Sequence, residues 1–105
     1  MNAVGLANFK QEVMEATQPV VVDFWAPGCG PCMVMKKELA KIEADGQVKV
    51  VTLNILDESE LAKHFKITGV PTLILFTDGV ARAQTVGYQP RPQIEHFIEV
   101  GKLEH

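Results

Sequence analysis

Residues 20–32 of the chain read VVVDFWAPGCGPC, an apolar run followed by a turn and two cysteines. The run Val20–Trp25 is rich in β-branched and aromatic residues without alternation, which predicts a strand covered on both faces. Pro31 is favoured in the first turn of a helix, and apolar residues recur at helical spacing between Met35 and Ile42. The stretch therefore predicts a strand, a short turn and a helix whose N-terminus carries both cysteines.

The segment before this unit has a helical pattern. Leu6, Phe9 and Val13 recur at helical spacing and predict an amphipathic helix up to about Thr17. The composition of residues 1–5 leaves open whether they add an edge strand.

The segment after the cysteine helix predicts a second strand and helix. Residues 48–55 form a β-rich run. Asp57, with Glu60 three residues later, indicates an N-cap and its partner at the start of a short helix that carries Leu61 and Phe65.

The C-terminal part of the chain predicts a hairpin and a last helix. The runs Thr72–Thr77 and Val80–Val86 flank an Asp-Gly dipeptide at 78–79, which favours a tight turn between antiparallel strands. Apolar spacing then indicates a helix from about Ile94 to Gly101. This order of elements predicts a three-layer α/β domain with a mixed sheet.

Length and composition predict a single globular domain. The chain has 105 residues, 47% of them hydrophobic. We assign residues 1–102 to the domain, since Leu103-Glu104-His105 resembles the start of a histidine tag. Ten Lys and Arg against thirteen Asp and Glu give a net charge of −3, which disfavours nucleic acid partners. No apolar run approaches a membrane span of about 20 residues, and residues 1–10 lack a signal pattern, so we expect a cytoplasmic protein.

Cys29 and Cys32 stand three positions apart at the predicted helix start. Unpaired N–H groups and the helix dipole favour a thiolate there, so Cys29 is placed to react and Cys32 to resolve. A structural cross-link is a weak explanation, since so short a loop stabilises by only about 2 kcal/mol. A metal site needs more ligands, and His64, His96 and His105 lack metal-binding spacing. We expect His64 and His96 to lie on solvated helix faces.

Asp23 is an isolated carboxylate in the apolar strand, where burial raises the pKa of such a group. Strand-to-helix geometry can bring it beneath the helix start that carries Cys32, where it would accept a proton from the thiol. An Asp that caps a neighbouring backbone turn is an equal alternative. Residues 68–72 read TGVPT, a turn in which the bond before Pro71 is a candidate for the cis form, although trans is the more frequent case.

In combination, these residues resemble the thioredoxin family. The resemblance rests on WAPGCGPC at residues 25–32, on Asp23 six residues before the first cysteine and on GVPT at residues 69–72. It spans about residues 4–102. It implies a thioredoxin fold, with a central mixed five-stranded sheet flanked by four helices and part of the first strand supplied by residues 1–5.

The resemblance also implies roles for individual residues. Cys29 corresponds to the attacking thiol, Cys32 to the resolving thiol and Asp23 to the buried proton-transfer acid. Trp25 corresponds to the aromatic residue beside the site, and Pro71 to a cis-proline that stands against the cysteines. The other positions that match the active-site turn and the groove for a substrate strand are Gly28, Gly30, Pro31, Gly69, Val70 and Gly87.

Four positions depart from the family pattern. Gly28 stands where an exposed Trp is usual, Met33 where a Lys follows the second cysteine, and Lys37 where a proline kinks the helix. Thr52 stands where a Lys usually pairs with the buried Asp. Lys49 cannot replace that Lys, because it lies an odd number of residues away and points to the other face of the strand. These departures bear on partner choice rather than on the type of activity.

The expected function is that of a protein disulfide reductase with altered partner choice. We expect no metal and no bound cofactor beyond the cysteine pair, a monomer, recharging by a thioredoxin reductase or an equivalent reductant, and protein disulfides as substrates. A binding or scaffold module that does not use the redox couple is one alternative. An oxidase or isomerase of an exported pathway is another, which the Gly-Pro between the cysteines disfavours.

Overall fold

The computed structural model describes residues 1–103, which form one five-stranded sheet and four helices. The strands are β1 (Asn2–Ala3), β2 (Val20–Trp25), β3 (Lys49–Asn54), β4 (Thr72–Thr77) and β5 (Val80–Val86). The helices are α1 (Lys10–Met14), α2 (Gly30–Ala44), α3 (Ser59–His64) and α4 (Arg91–Leu103). The predicted order of elements and the mixed α/β architecture are confirmed.

The strand order across the sheet is β1-β3-β2-β4-β5. Strands β1, β3 and β2 run parallel, whereas β4 is antiparallel to both β2 and β5. Phe24 of β2 lies opposite Thr72 of β4, and Thr72 lies opposite Val86 of β5. The C-terminal ends of β2 and β5 therefore meet the N-terminal end of β4 at one edge of the sheet.

The two faces of the sheet pack into separate apolar clusters, because successive side chains of a strand point to opposite faces. The first cluster consists of Val4, Phe9, Val13, Val20, Val22, Phe24, Val51, Leu53, Leu61, Ile74 and Phe76. The second cluster consists of Val21, Met35, Leu39, Ile42, Val48, Val50, Leu73, Leu75, Ile94 and Ile98. Asp23 and Trp25 share the Val21 face of β2 and therefore point toward helix α2.

The N-terminal helix is shorter than its sequence pattern predicts. The Glu15 N–H donates to the Lys10 carbonyl at 2.9 Å, an i to i+5 bond that makes this turn wider than an α-helix. Phe9 and Val13 are buried, but Leu6 is 61% exposed. Leu6 lies in the turn before the helix, where helical spacing does not set its direction. The prediction of an apolar face that begins at Leu6 is therefore wrong.

Helix α3 begins later than predicted. Glu58, rather than Asp57, is its N-cap residue, and the Glu58 side chain makes no capping hydrogen bond. The Glu58 carboxylate instead accepts a hydrogen bond from the Leu6 N–H at 3.0 Å. This contact with a distant segment replaces a local cap, so the predicted Asp57 cap is wrong. Leu61 is buried, and Phe65 ends the helix and packs against the first cluster.

The hairpin prediction is confirmed, since Asp78 and Gly79 join β4 to β5 with φ of 52° and 75°. Helix α4 continues past the predicted end to Leu103, which is exposed. The remainder of the predicted tag remnant, Glu104 and His105, lies outside the described residues. Among residues 1–103, no helix has the length and apolar character needed to cross a membrane.

Candidate active site

Cys29 and Cys32 are joined as a disulfide at the N-terminus of α2, with their Cα atoms 5.3 Å apart. Cys29 is the N-cap residue with extended backbone angles, and its sulfur accepts a hydrogen bond from the Cys32 N–H at 3.2 Å. Cys29 is half-buried, whereas Cys32 has no exposed surface. The positive end of the helix dipole thus acts on one reachable sulfur and one shielded sulfur.

The residue before Cys29 is constrained by its backbone. Gly28 has φ +80°, in the left-handed region, and a Cβ added there would meet no atom within 4 Å. A larger side chain therefore has space, but its backbone would be strained by about 1–2 kcal/mol. Glycine adopts this left-handed conformation without strain, a feature that the sequence pattern did not indicate.

Asp23 is fully buried, and neither of its carboxyl oxygens has a hydrogen-bond partner among the described residues. The alternative that it caps a backbone turn is therefore wrong. Burial raises the pKa of the Asp23 carboxyl from 3.8 to about 7. Because this pKa lies near neutrality, both the acid and the carboxylate are populated, and the group is suited to accept and return a proton.

Thr52 and Lys49 lie where the strand pattern predicts them. Thr52 is opposite Asp23 in the β2–β3 register and is buried, but it donates no hydrogen bond to the carboxyl. The Lys49 ammonium donates to the Glu12 carbonyl at 2.8 Å and pairs with the Glu12 carboxylate at 3.2 Å. Both contacts hold the Lys49 ammonium on the opposite side of the sheet. Strand β3 therefore places no cation near Asp23.

A cation near Asp23 comes instead from α2. Lys36 lies one helical turn after Cys32, and its ammonium nitrogen is 3.4 Å from the centroid of the Trp25 ring. The Lys36 charge opposes the effect of burial on the Asp23 pKa. The sequence pattern did not single out Lys36, although its i, i+4 spacing from Cys32 places the two residues on one helix face.

The turn that contains Pro71 lies at the same sheet edge as the end of β2, because Pro71 directly precedes Thr72. The Val70–Pro71 peptide bond is cis, and Pro71 is buried. The Gly87 N–H donates to the Pro71 carbonyl at 2.8 Å, and the Thr72 hydroxyl donates to the Gly69 carbonyl at 2.6 Å. The strand register therefore places this turn and Gly87 at the end of the sheet where β2 stops and the turn before Cys29 begins.

Two histidines lie on the surfaces of helices other than α2. His64 on α3 and His96 on α4 are both exposed, as predicted. Within residues 1–103, no group of three or more His, Cys, Asp or Glu side chains is arranged to hold a metal ion.

A disulfide that closes a Cys-X-X-Cys pair at a helix N-terminus defines the class of thiol-disulfide oxidoreductases. The family model for thioredoxin matches residues 2–100. The thioredoxin of Alicyclobacillus acidocaldarius is 45% identical over 92 residues, which cover 85% of this chain and 86% of that protein. Thioredoxin 1 of Synechococcus elongatus is 41% identical over 100 residues, or 92% of each chain. The thioredoxin of Pseudomonas aeruginosa is 38% identical over 95 residues, which cover 89% of this chain and 88% of that protein.

This chain therefore belongs to the thioredoxin family. Its activity is the reduction of protein disulfides by thiol-disulfide exchange, through the cysteine pair at the start of α2. Neither the fold nor the relatives favour the alternative of a binding module that does not use the redox couple.

Proposed function

We propose that Cys29 is the attacking thiol and Cys32 the resolving thiol in the reduction of protein disulfides. The observation that carries this assignment is the difference in burial, since Cys29 is half-buried and Cys32 is fully buried. The helix N-terminus and the Cys32 N–H favour a thiolate at the Cys29 sulfur. A bulky substrate disulfide therefore meets the Cys29 sulfur first.

The reaction takes two exchange steps. In the first, the Cys29 thiolate bonds to one substrate sulfur and the other substrate sulfur leaves as a thiolate. In the second, Cys32 loses its proton, and its thiolate attacks the Cys29 sulfur and releases the remaining substrate thiolate. Two electrons pass from the protein to the substrate, and the protein is left with the Cys29–Cys32 disulfide.

Asp23 accepts the Cys32 proton in the second step. Its support is the position of Asp23 on the β2 face that points toward α2, together with a pKa of about 7. A carboxylate with this pKa takes up a proton at neutral pH far more readily than an ordinary, solvated carboxylate does. When the protein is reduced again, the same group returns the proton to Cys32.

A substrate strand binds beside the cysteines, at the edge where β2 ends and β4 begins. Val70 precedes the paired part of β4, so an extended substrate segment can add to its backbone as a short strand. Glycines and other residues with little side chain leave space for that segment, and the aromatic residue at the end of β2 borders it. The residues that we assign to this groove are Trp25, Gly28, Gly30, Pro31, Gly69, Val70, Pro71 and Gly87.

Gly28 reduces affinity for partners that dock on an aromatic residue before the first cysteine. Aromatic anchors often dominate an interface, and their loss costs about 2 kcal/mol or more. The chain is therefore a thioredoxin with a restricted choice of partners.

The cysteine pair carries the electrons, so the proposal includes no metal and no bound cofactor. Its partners are a thioredoxin reductase or an equivalent reductant and proteins that contain disulfides. We place this chemistry in a monomer in the cytoplasm, where a reducing environment keeps the cysteine pair available as thiols.

Trapping of the mixed disulfide tests these roles. Cys29→Ser and Cys32→Ser should each abolish multiple turnovers with a protein disulfide substrate. Only Cys32→Ser should retain substrate through a covalent bond, visible as a mass increase under non-reducing conditions. A trapped complex in Cys29→Ser, together with its absence in Cys32→Ser, would contradict the assignment.

A further inference from the structure

The Lys36 side chain is held at a defined place in the active site. Its ammonium nitrogen lies 3.4 Å from the centroid of the Trp25 ring, within the range of a cation–π interaction. Lys36 is half-buried, in contrast to its neighbour Lys37, which is exposed. The long aliphatic stem thus packs along the protein, and the charge is fixed over the ring.

The place of this charge relative to Asp23 follows from the geometry of β2 and α2. Trp25 and Asp23 are two residues apart on one strand, so they share the face that points toward α2. Lys36 and Cys32 are one turn apart on α2, so they share a helix face. The cation, the buried carboxyl and the resolving cysteine are therefore gathered between the same two elements.

Among the described residues, the groups that face Asp23 from the other elements include no second cation. On β3, the residue opposite Asp23 is the uncharged Thr52, and on β4 it is Leu73. Asp57 and Glu58 line a groove that also touches Trp25 and Thr52, but they are acidic and would act against a carboxylate. Lys36 is the charged group whose field favours the ionised form of Asp23.

We propose that Lys36 is a positioning residue for the resolving step: anchored on Trp25, it supplies from α2 the positive charge that favours the Asp23 carboxylate, the form that accepts the Cys32 proton. The proposal rests on the role of Asp23 proposed above. The Lys36 ammonium does not contact the carboxyl, since neither Asp23 oxygen has a hydrogen-bond partner among residues 1–103. Its charge acts through the intervening protein, where weak screening preserves the interaction.

The first test titrates Asp23 by carboxyl carbon NMR in the oxidised protein, where no thiol titrates and no exchange chemistry is involved. Lys36→Met should move the Asp23 midpoint upward by about half a pH unit to one unit, because the favourable charge is lost. Lys36→Gln should do the same with an uncharged polar side chain. Lys36→Arg should keep the midpoint near that of the parent protein, and Lys37→Met is the matched control that should not move it.

The second test measures the pH dependence of resolution in a single turnover of reduced protein. In Lys36→Met, the half-maximal rate should shift to higher pH by the same amount as the NMR midpoint, with the rate at high pH retained. A purely structural role of Lys36 on Trp25 would lower the rate at every pH and leave the midpoint in place. An Asp23 midpoint that is equal in Lys36→Met, Lys36→Gln and Lys37→Met would overturn the proposal, even if the trapping experiment supports the cysteine roles.

Discussion

Strand β2 presents two faces that differ in one buried group. Val20, Val22 and Phe24 pack into the first cluster, whose members all have apolar side chains. The opposite face packs against α2 and carries Asp23, a fully buried carboxyl without a hydrogen-bond partner among the described residues. A charged carboxylate in such a place lowers the free energy of unfolding, whereas the buried apolar side chains of the other face raise it. The loss occurs on the face that packs against α2, the helix that carries Cys32.

The largest effect on stability is expected on the apolar face. Phe24→Ala removes a fully buried ring and should lower the free energy of unfolding by about 3–5 kcal/mol. The loss should be the same at about pH 5 and about pH 8, because no titrating group lies in this cluster. Urea unfolding at both pH values measures it, with Phe24→Leu as the control that should lose much less. A loss that depends strongly on pH would show that the two faces are not independent.

On the opposite face, the effect should depend on pH. A pKa raised from 3.8 to about 7 means that folding binds a proton at Asp23, which corresponds to about 4 kcal/mol. This contribution to stability is fully present below the unfolded pKa of 3.8 and is lost as the pH rises through about 7. Asp23→Asn removes the titration, so its stability relative to the parent protein should rise by up to about 4 kcal/mol across this interval.

Urea unfolding of Asp23→Asn and of the parent protein, from about pH 4 to about pH 8, measures that difference. The m value serves as a control, since an altered m would indicate a change in the unfolded or native ensemble. A constant stability difference across the range would mean that Asp23 titrates with an ordinary pKa.

A smaller effect is expected when a cation is added to β3. Thr52→Lys places an ammonium opposite Asp23 and should lower the NMR midpoint of the carboxyl by about one pH unit. The groove beside Thr52, about 460 Å³ in volume, gives the longer side chain room. Thr52→Val is the uncharged control, and Lys49→Met, on the other side of the sheet, should leave the midpoint unchanged. Equal midpoints in Thr52→Lys and Thr52→Val would remove charge as the explanation.

The sequence pattern predicted the parts of the molecule that depend on local chemistry. The strand around Asp23, the turn at Asp78 and Gly79 and the cysteine helix follow from composition, positive φ and the period of apolar residues. The outward direction of Leu6 and the late start of α3 depend on a contact with Glu58 across the fold. Such a contact has no signature in either segment alone.

The candidate site divides in the same way. Cys29, Cys32 and Asp23 lie within one strand–turn–helix unit, so spacing and the resemblance together identified them. The role proposed for Lys36 depends on how α2 packs on β2, because that packing places its charge over Trp25. A lysine on a predicted helix is ordinarily a solvated residue, and the sequence gives no reason to treat it otherwise.

The proton-accepting role of Asp23 is tested most directly by the pH dependence of the resolving step in the parent protein and in Asp23→Asn. A dipyridyl disulfide should react first with Cys29, even at acid pH, and release one pyridinethione. The attack of Cys32 should then release the second, so absorbance separates the two steps. The second release in the parent protein should accelerate with a midpoint near pH 7, whereas in Asp23→Asn it should be slower and lack this midpoint. Identical rates and pH profiles for the second release in both proteins would contradict the role of the buried carboxyl.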